Sequence, residues 1–536
     1  MDAHFANVWQ VIASEAGDRP ALIHGDEVVS WRDYDDRAAR LAQALLDLGL
    51  GPDSKVALYL YNGIEYVVAQ YAAFKVRGVP INVNYRYSDN ELLYLLDNSD
   101  AEVLVFHRSL GDRVARVVDR ATKVKAWIEV DDGEGEHGGE RVAGAQAWDA
   151  VLAGHEPAPP VQGEADDVYM LYTGGTTGMP KGVMYRHGTF SVAITALGAG
   201  LYGLPPATDV DSVLALSRTI EQPPVWLAAC PQMHGTGMWL GTMIPLLLGG
   251  TVVTLTNRSF DPDELWRAVE RHGVDGVVIV GDAFAKPMLR ALEAGTYTAP
   301  SLRFIVSSGV MWSTEVKEGL LAHLDVTLYD ALGSTEGSMG ATVSTRAGIG
   351  TTAKFTSNPS VKVITEDGRE VEPGSDEIGM VAAVSASFGY FKDPEKSART
   401  FTVIDGVAHS LPGDWAKVAA DGSLILLGRG SNCINTGGEK VFPEEVEEAL
   451  KAQPAVYDCL VVGVPDERFG ERIVAVVSLQ PGATATEAEL LEGVAGYVAR
   501  YKLPKQILIV DHVRRAPNGK ADYPWARTVA QSSPVG

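Results

Sequence analysis

The sequence predicts an α/β fold, with a large N-terminal domain of βαβ-built sheets, a β-rich subdomain and a small α+β C-terminal domain. Short runs of β-branched residues alternate with amphipathic helical stretches over residues 20–110 and 250–330, as in parallel sheets with crossover helices. The pattern becomes β-rich after residue 350 and changes again over roughly the last hundred residues. The 536 residues are enough for several hydrophobic cores.

The two N-terminal regions predict strict alternation of strands and helices. The first long helix ends at a glycine stop, Gly49. In the first region we predict strands at 21–25, 55–62 and 79–84 and helices at 31–49 and 65–78. In the second region we predict strands at 249–256, 274–280 and 302–309 and helices at 263–273 and 283–295.

The later part of the chain predicts two further regions. Strands are expected at 360–369 and 422–428 in the β-rich part. The C-terminal part predicts helices at 444–453 and 487–502 and strands at 459–464, 472–479 and 506–510. The change of pattern predicts an N-terminal domain of residues 1–428, a hinge at 429–431 and a C-terminal domain of residues 432–536.

Composition narrows the class of partner. Apolar residues make up 46% and charged residues 21%, which is typical of globular proteins and excludes a disordered or coiled-coil chain. Acidic residues outnumber basic ones by 69 to 45, so the net charge is −24. Such a charge repels a phosphate backbone, and we therefore expect no nucleic acid partner.

Cysteine content and the N-terminus predict a cytoplasmic protein. Cys230, Cys433 and Cys459 have separations that suit neither a disulfide framework nor a zinc cluster, which fits a reducing compartment. The N-terminal residues lack the basic flank and apolar run of a secretory signal.

One charge-free stretch, residues 235–257, has the length of a membrane span. Pro245, Gly249 and Gly250 divide it into a helix-like half and a strand-like half, so we expect buried core and no integral membrane association. The sequence leaves the oligomeric state open, with a homodimer among the expected states.

Residues 172–182, YTGGTTGMPKG, form the most informative segment. They follow an apolar strand. Glycines leave backbone amides accessible to an anion, threonines add hydroxyl donors and a lysine adds an ammonium group. The residues concerned are Thr173, Gly174, Gly175, Thr176, Thr177, Gly178 and Lys181. This combination suits a polyphosphate. The Gly-Lys-Ser/Thr order of a Walker A loop is absent. On composition alone, a plain glycine-rich turn is the alternative.

The complete string closely resembles the phosphate loop of the adenylate-forming superfamily, which contains acyl- and aryl-CoA synthetases, luciferases and the adenylation domains of peptide synthetases. Segments that resemble the superfamily's other motifs follow in the expected order, at 307–309, 332–337, 413–415, 428–429 with 437–438, and 517–520. With the N-terminal βαβ region, the resemblance covers essentially the whole chain. It implies a small C-terminal domain that is mobile about the hinge.

The resemblance implies an ATP site. In the superfamily, the segment at 307–309 lines the adenine pocket, the threonine at Thr335 contacts the α-phosphate, and the aspartate at Asp414 accepts from both ribose hydroxyls. Besides the phosphate loop, the implied ATP-binding residues are Ser308, Gly309, Val310, Asp330, Leu332, Gly333, Asp414 and Arg429. Leu332 replaces the usual aromatic residue, so we expect apolar packing and Asp330 to hold adenine.

The chemistry explains why cations are needed. Attack of a carboxylate on the α-phosphorus joins two anions and expels pyrophosphate, so positive charge must offset the charge that develops. By resemblance, Glu336 holds Mg²⁺, and Lys520 is the catalytic lysine. Taken alone, Glu336 could be a helix-start acid and Lys520 a solvated turn lysine. The order of the motifs favours the catalytic interpretation.

A second site is expected for the acid. His234 lies in the segment 231–239, which in the superfamily flanks the acyl carboxylate, and we favour a role in orienting that carboxylate over a buried core histidine. No acidic residue lies in this segment to pair with a substrate ammonium group, which argues against an amino acid as the substrate. The expected acyl pocket is apolar and adaptable and is formed by Met233, His234, Gly235, Trp239, Met311 and Met339. The small residues after His234 predict a wide mouth.

The C-terminal domain is expected to receive coenzyme A. The resemblance implies a hinge and coenzyme A loop with Ser431, Asn435, Gly437 and Gly438. Ser431 replaces a charged hinge residue, and Asn435 replaces a lysine, which casts doubt on a lysine-assisted thioester step.

The predicted function is an ATP-dependent, AMP-forming acyl-CoA synthetase that uses Mg²⁺ and coenzyme A. The motif strings look most like an actinobacterial-type branch whose members act on bulky polycyclic acids, such as steroid side-chain or terpenoid carboxylates. Medium- or long-chain fatty acids are the first alternative, and an acyl-AMP ligase that loads a carrier protein is the second. A scaffold without activity is disfavoured because Thr335, Glu336, Asp414 and Lys520 are all present.

Overall fold

The computed structural model describes residues 2–132, 142–173, 179–295, 297–310, 312–436, 439–466, 470–495, 497–516 and 519–532, without the side chains of residues 431, 439 and 440. The helices in these ranges are α1 (Phe5–Glu15), α2 (Trp31–Asp47), α3 (Ile64–Lys75), α4 (Asp89–Asn98), α5 (Gly111–Val117), α6 (Trp148–Gly154), α7 (His187–Leu201), α8 (Val210–Thr219), α9 (Ile244–Leu247), α10 (Pro262–His272), α11 (Gly281–Ala294), α12 (Thr314–His323), α13 (Pro394–Thr400), α14 (Pro443–Lys451), α15 (Glu487–Ala495) and α16 (Tyr523–Ser532).

The strands are β1 (Pro20–His24), β2 (Glu27–Ser30), β3 (Lys55–Tyr59), β4 (Val79–Asn82), β5 (Ala101–His107), β6 (Ala126–Val130), β7 (Gln146–Ala147), β8 (Val168–Thr173), β9 (Lys181–Arg186), β10 (Val225–Ala228), β11 (Thr251–Thr254), β12 (Gly276–Ile279), β13 (Phe304–Ser308), β14 (Thr327–Ser334), β15 (Gly337–Ser344), β16 (Lys354–Ser357), β17 (Lys362–Ile364), β18 (Gly379–Val384), β19 (Ser387–Tyr390), β20 (Phe401–Ile404), β21 (Val407–Ser410), β22 (Asp414–Val418), β23 (Leu424–Arg429), β24 (Ile434–Thr436), β25 (Glu439–Val441), β26 (Val456–Asp466), β27 (Gly470–Leu479) and β28 (Gln506–Ile509).

The chain forms two compact units. The first comprises Met1–Ser338, Val343–Gly350 and Ser385–Ser410, and the second comprises Met339–Thr342, Thr351–Val384 and Leu411–Gly536. Much of the β-rich region therefore groups with the C-terminal residues, whereas the sequence pattern placed the boundary at residue 428. The expected hinge at 429–431 falls inside the second unit, and its role stays a prediction.

Parallel sheets dominate the first unit. Strands β1, β11, β10, β12, β13 and β14 run parallel in that order, and β2 joins β1 antiparallel. A second parallel sheet has the order β4-β3-β5-β6-β7. Parallel neighbours need crossover connections, which is why the sequence alternates strand and helix patterns. Antiparallel strands β19-β9-β8 form a third, small sheet.

Aromatic side chains from distant elements fill the core of the first unit. Trp9 of α1, Phe74 of α3, Tyr169 of β8 and Phe190 of α7 all belong to one buried cluster. The ring centroids of Tyr169 and Phe190 lie 5.5 Å apart and those of Trp9 and Phe74 lie 5.8 Å apart, within the range that stabilises aromatic pairs. This core fixes β8, the strand that leads into the phosphate loop.

The second unit contains two sheets. Antiparallel pairs connect β15, β16, β23, β22, β18 and β17 in the first. In the second, β26 and β27 pair antiparallel and β28 lies parallel to β27. Side chains alternate across these strands, so α14 and α15 cover one face and α16 covers the other. The predicted α+β class is confirmed.

Most predicted elements are confirmed, and two are shorter than predicted. The strand predicted over 360–369 spans only Lys362–Ile364, because a turn follows in which the Gly368 N–H donates to the Thr365 carbonyl at 3.0 Å. The helix predicted over 487–502 ends at Ala495, and a 3₁₀ turn occupies Arg500–Lys502. Glycines at 493 and 496 explain the early end, because glycine has low helix propensity. The charge-free stretch contains a π-helix, Thr236–Met243, and strand β11, as its two halves predicted. In the described part of the chain, no helix has the length and apolar character required to cross a bilayer.

Candidate active site

The predicted phosphate loop connects two antiparallel strands. Thr173 ends β8 and pairs with Lys181, the first residue of β9. The hairpin therefore brings the threonine and the lysine to the same end of the small sheet. The loop residues Gly174, Gly175, Thr176, Thr177 and Gly178 lie outside the described residues.

A buried asparagine connects this loop to the expected acyl site. The amide of Asn82, at the end of β4, donates to the carbonyls of Tyr172 at 2.8 Å and Met233 at 2.7 Å, and its oxygen accepts from the Tyr172 backbone N–H at 2.7 Å. One side chain thus fixes both segments. The sequence analysis missed Asn82, although a polar residue at the carboxyl end of a parallel strand is a usable signal.

Lys181 has an acidic partner. Its ammonium lies 2.6 Å from a carboxylate oxygen of Asp393, and that carboxylate also caps the N-terminus of α13. The hydrogen bond from Lys181 lowers the pKa of Asp393. The lysine is therefore held in place beside the loop and is not a mobile surface charge.

Hydroxyl groups surround the backbone of Thr335 and Glu336. The Glu336 carbonyl accepts hydrogen bonds from Ser385 at 2.7 Å, Ser387 at 2.9 Å and Ser410 at 3.0 Å. Tyr185 donates to the Thr335 carbonyl. Burial raises the pKa of the Tyr185 hydroxyl well above its usual value, so this donor stays protonated.

The carboxylate of Glu336 is oriented as well. Tyr390 donates its hydroxyl hydrogen to one carboxylate oxygen of Glu336 at 2.8 Å. No motif in the sequence pointed to Tyr390, which lies on β19, far from Glu336 along the chain.

The donor set around Glu336 fits a magnesium ion that arrives with a nucleotide. The described residues contain no group of three metal-ligating side chains. Mg²⁺ is usually held by one or two carboxylates together with substrate phosphates rather than by a protein cage. A single oriented carboxylate meets that requirement.

The predicted adenine segment lies at the end of two parallel strands. Ser307 pairs with Asp330 and Ser308 pairs with Ala331 between β13 and β14. Asp330 forms a buried ion pair with Lys317, with 2.8 Å between the charged atoms. Burial nevertheless raises the pKa of Asp330. The ion pair gives Asp330 a structural role that the sequence did not indicate, and adenine recognition by Asp330 stays a prediction. Gly309, Val310, Leu332 and Gly333 lie on or directly after these two strands.

The expected acyl segment, residues 231–239, runs into the π-helix Thr236–Met243, a feature that often marks functional sites. Met233 is buried. The ring centroid of Trp239 lies 5.4 Å from that of Tyr185 and 5.1 Å from that of Phe190. Its indole N–H donates to the Tyr169 hydroxyl at 3.0 Å. The backbone N–H of His234 donates to the Pro231 carbonyl at 3.1 Å.

The small residues after His234 have packing roles. A Cβ atom on Gly237 would lie 2.3 Å from the Pro231 carbonyl oxygen, and one on Gly235 would lie 3.0 Å from the ring of Trp239. Protein atoms therefore occupy the space beside these glycines, so the small residues do not by themselves indicate a wide mouth. Met311 lies outside the described residues, and Met339 is buried in the second unit.

Asp414 and Arg429 are brought together in the second unit. They are register partners on β22 and β23, and the guanidinium Nε lies 3.2 Å from the Asp414 carboxylate. Gly428 precedes the expected hinge with φ +133°, and a Cβ there would lie 2.2 Å from the Glu444 carboxylate. Only glycine fits at this position. Burial raises the pKa of Glu444 to about 8.

The loop that carries Lys520 is anchored by an arginine. Arg515 donates to both carboxylate oxygens of Asp458, at 2.5 and 2.6 Å, and to the Gly519 carbonyl at 3.1 Å. The backbone N–H of Ala516 donates to the Lys520 carbonyl at 2.9 Å. The sequence analysis named Lys520 but missed Arg515, which acts as a positioning residue for the loop.

The predicted coenzyme A loop is only partly described. Asn435 is exposed on β24, and its backbone N–H donates to Glu471 at 2.8 Å. Gly437, Gly438 and the side chain of Ser431 lie outside the described residues. Their roles stay predictions.

Two family models match the chain. The AMP-binding enzyme model matches residues 9–383, and the model of the AMP-binding enzyme C-terminal domain matches residues 445–520. The first range includes the phosphate loop, His234 and Glu336, and the second ends at Lys520.

Curated relatives cover nearly the whole chain. A Rhodococcus rhodochrous protein named 3-oxocholest-4-en-26-oate–CoA ligase is 41% identical over 524 residues, which cover 95% of this chain and 93% of the relative. A Mycobacterium tuberculosis protein named medium/long-chain-fatty-acid–CoA/3-oxocholest-4-en-26-oate–CoA ligase is 39% identical over 523 residues, 97% of this chain and 94% of the relative. Among solved structures, ATP-bound MatB from Rhodopseudomonas palustris has a TM-score of 0.82 and 25% identity, with 99% of both chains covered.

Proposed function

Because this chain belongs to the AMP-binding enzyme family and is an AMP-forming acyl-CoA synthetase that uses ATP and coenzyme A, we propose that its substrate is a bulky, apolar carboxylic acid of the steroid type. The observation that carries this proposal is the 41% identity, over 95% of the chain, to a relative named for one steroid acid alone. Medium- and long-chain fatty acids are the second candidate, because another relative's name includes them.

The positions of the side chains support a division of roles. Glu336, oriented by Tyr390, would hold Mg²⁺ on the nucleotide, and the ion would supply positive charge to the phosphates when bound. Thr335 would contact the α-phosphate, and Lys181 the phosphates held by the hairpin loop. Lys520 would supply a further cation during adenylation.

The acid and the nucleotide would be oriented by other residues. His234 follows Met233, whose carbonyl is fixed by Asn82, and would face the acid carboxylate. Asp414 would accept from the ribose hydroxyls, with Arg429 holding its carboxylate in place. Asn435, Gly437 and Gly438 would contact coenzyme A.

A screen for pyrophosphate release tests the activity and its acceptor. Fatty, aryl and polycyclic acids would each be supplied with ATP, with and without coenzyme A. We expect an acyl-CoA thioester by mass spectrometry because this sequence resembles the superfamily's coenzyme A loop and its relatives are named CoA ligases. Accumulation of acyl-AMP without thioester when coenzyme A is present would identify an acyl-AMP ligase instead.

Competition between a steroid side-chain acid and palmitate tests the substrate class. We expect the steroid acid to have the higher kcat/KM, because the relative that is 41% identical over 95% of this chain is named for a steroid acid alone. A preference for palmitate of more than about tenfold, roughly 1.4 kcal/mol, would reverse the assignment.

A further inference from the structure

A second lysine shares the aromatic ring that orients Glu336. Lys396 lies on α13, and its ammonium is 4.7 Å from the centroid of the Tyr390 ring. The ammonium of Lys181 is 5.9 Å from the same centroid. Both distances are within the range of attraction between a cation and an aromatic ring. Two cations and the Glu336 carboxylate therefore surround one tyrosine.

The two lysines are close enough to oppose each other. Burial lowers the pKa of Lys396, and the neighbouring Lys181 ammonium lowers it further, while Glu336 and Asp393 act in the opposite direction. Asp393 forms its ion pair with Lys181 and offers its other carboxylate oxygen to the backbone N–H of Lys396 at 3.1 Å. Asp393 is therefore already engaged by Lys181 and by the start of α13, and a polyanion would relieve the repulsion between the two ammonium groups.

We propose that Lys396 is a further ATP-binding residue, whose ammonium joins Lys181 in binding the pyrophosphate end of the nucleotide. This rests on the proposed function, in which Thr335 and Glu336 serve the α-phosphate and its metal ion. Lys181 begins β9 at the end of the predicted phosphate loop, and the ammonium of Lys396 approaches the same Tyr390 ring. Compact ammonium groups suit phosphate oxygens that change position as pyrophosphate departs.

The test measures the affinity of the enzyme for ATP and pyrophosphate in addition to its overall activity. In ATP–pyrophosphate exchange, where both compounds are substrates, Lys396→Gln should raise the KM for ATP and the KM for pyrophosphate about tenfold or more, because one charge-assisted contact to phosphate is lost. The KM for the acid should stay within about twofold, since the acid makes no contact with this lysine in the proposal. Lys396→Arg keeps the charge and should recover most of the affinity.

Lys392→Gln is the matched control. Lys392 precedes the same helix, is exposed and pairs with Asp100 at 2.7 Å, so its loss should leave both constants unchanged. Calorimetric binding of magnesium pyrophosphate to each folded variant, checked by circular dichroism, needs no acid substrate. Wild-type constants for Lys396→Gln in exchange and calorimetry would overturn this inference. Failure of the wild type to exchange with any acid would instead overturn the proposed function.

Discussion

Replacement of Lys520 by alanine should lower kcat for acyl-AMP formation about 10²-fold or more, some 2.7 kcal/mol of transition-state stabilisation. The ammonium acts chiefly as charge develops on the departing phosphates, so the loss should appear in kcat rather than in the KM for the acid. Arg515 holds the loop at Gly519 and is unaffected by the substitution, so the loop should keep its conformation. Lys505→Ala, at an exposed lysine of the same unit, is the matched control.

Pre-formed acyl-AMP separates the two half-reactions. We expect Lys520→Ala to convert it to thioester at close to the wild-type rate, because that step involves no departing pyrophosphate. Gly437→Trp should show the reverse pattern, with adenylation intact and thioester formation lost, because the indole would obstruct the thiol. The expectation is that the C-terminal domain presents Lys520 for adenylation only, and then turns about residues 429–431 to present Gly437 and Gly438 to coenzyme A. If Lys520→Ala were equally impaired with pre-formed acyl-AMP, this mechanism would be wrong for this protein.

Glu336→Gln should cause a loss of comparable size, about 10²-fold in kcat for adenylation. The amide oxygen can still accept from Tyr390, so the substitution mainly removes the negative charge that would hold Mg²⁺. The magnesium concentration needed for half-maximal activity should rise at the same time. Both quantities are measured by ATP–pyrophosphate exchange over a magnesium titration.

Glu395→Gln provides the control for this substitution. Glu395 is exposed on α13. Its substitution removes the same charge from the same unit, at a position outside the proposed metal site. If Glu336→Gln kept the wild-type magnesium dependence, Glu336 would not be the metal ligand. The network of three serines on its carbonyl would then have only a structural role.

Local patterns in the sequence were enough to predict the architecture. Alternating strand and helix patterns predicted the parallel sheets because each pattern reports burial of its own segment. Local patterns do not predict how the chain divides into two compact units, because that division depends on which segments pack together. Residues 351–384 of the β-rich region group with residues 411–536, and the strand pairs β16–β23 and β18–β22 join segments far apart along the chain, which no local periodicity encodes.

The sequence by itself determined the class of reaction, because short motifs in it resemble those of adenylate-forming enzymes; they contain Lys181, Thr335, Glu336, Asp414 and Lys520, whose individual roles stay predictions. Only the tertiary structure identified what positions the site, namely Tyr390 on the Glu336 carboxylate, Asn82 between β8 and the Met233 carbonyl, and Arg515 on the Lys520 loop. The physical reason is separation along the chain. A motif contains residues that are neighbours along the chain, whereas the hydrogen bond from Tyr390 to Glu336 joins residues 54 positions apart and exists only after folding.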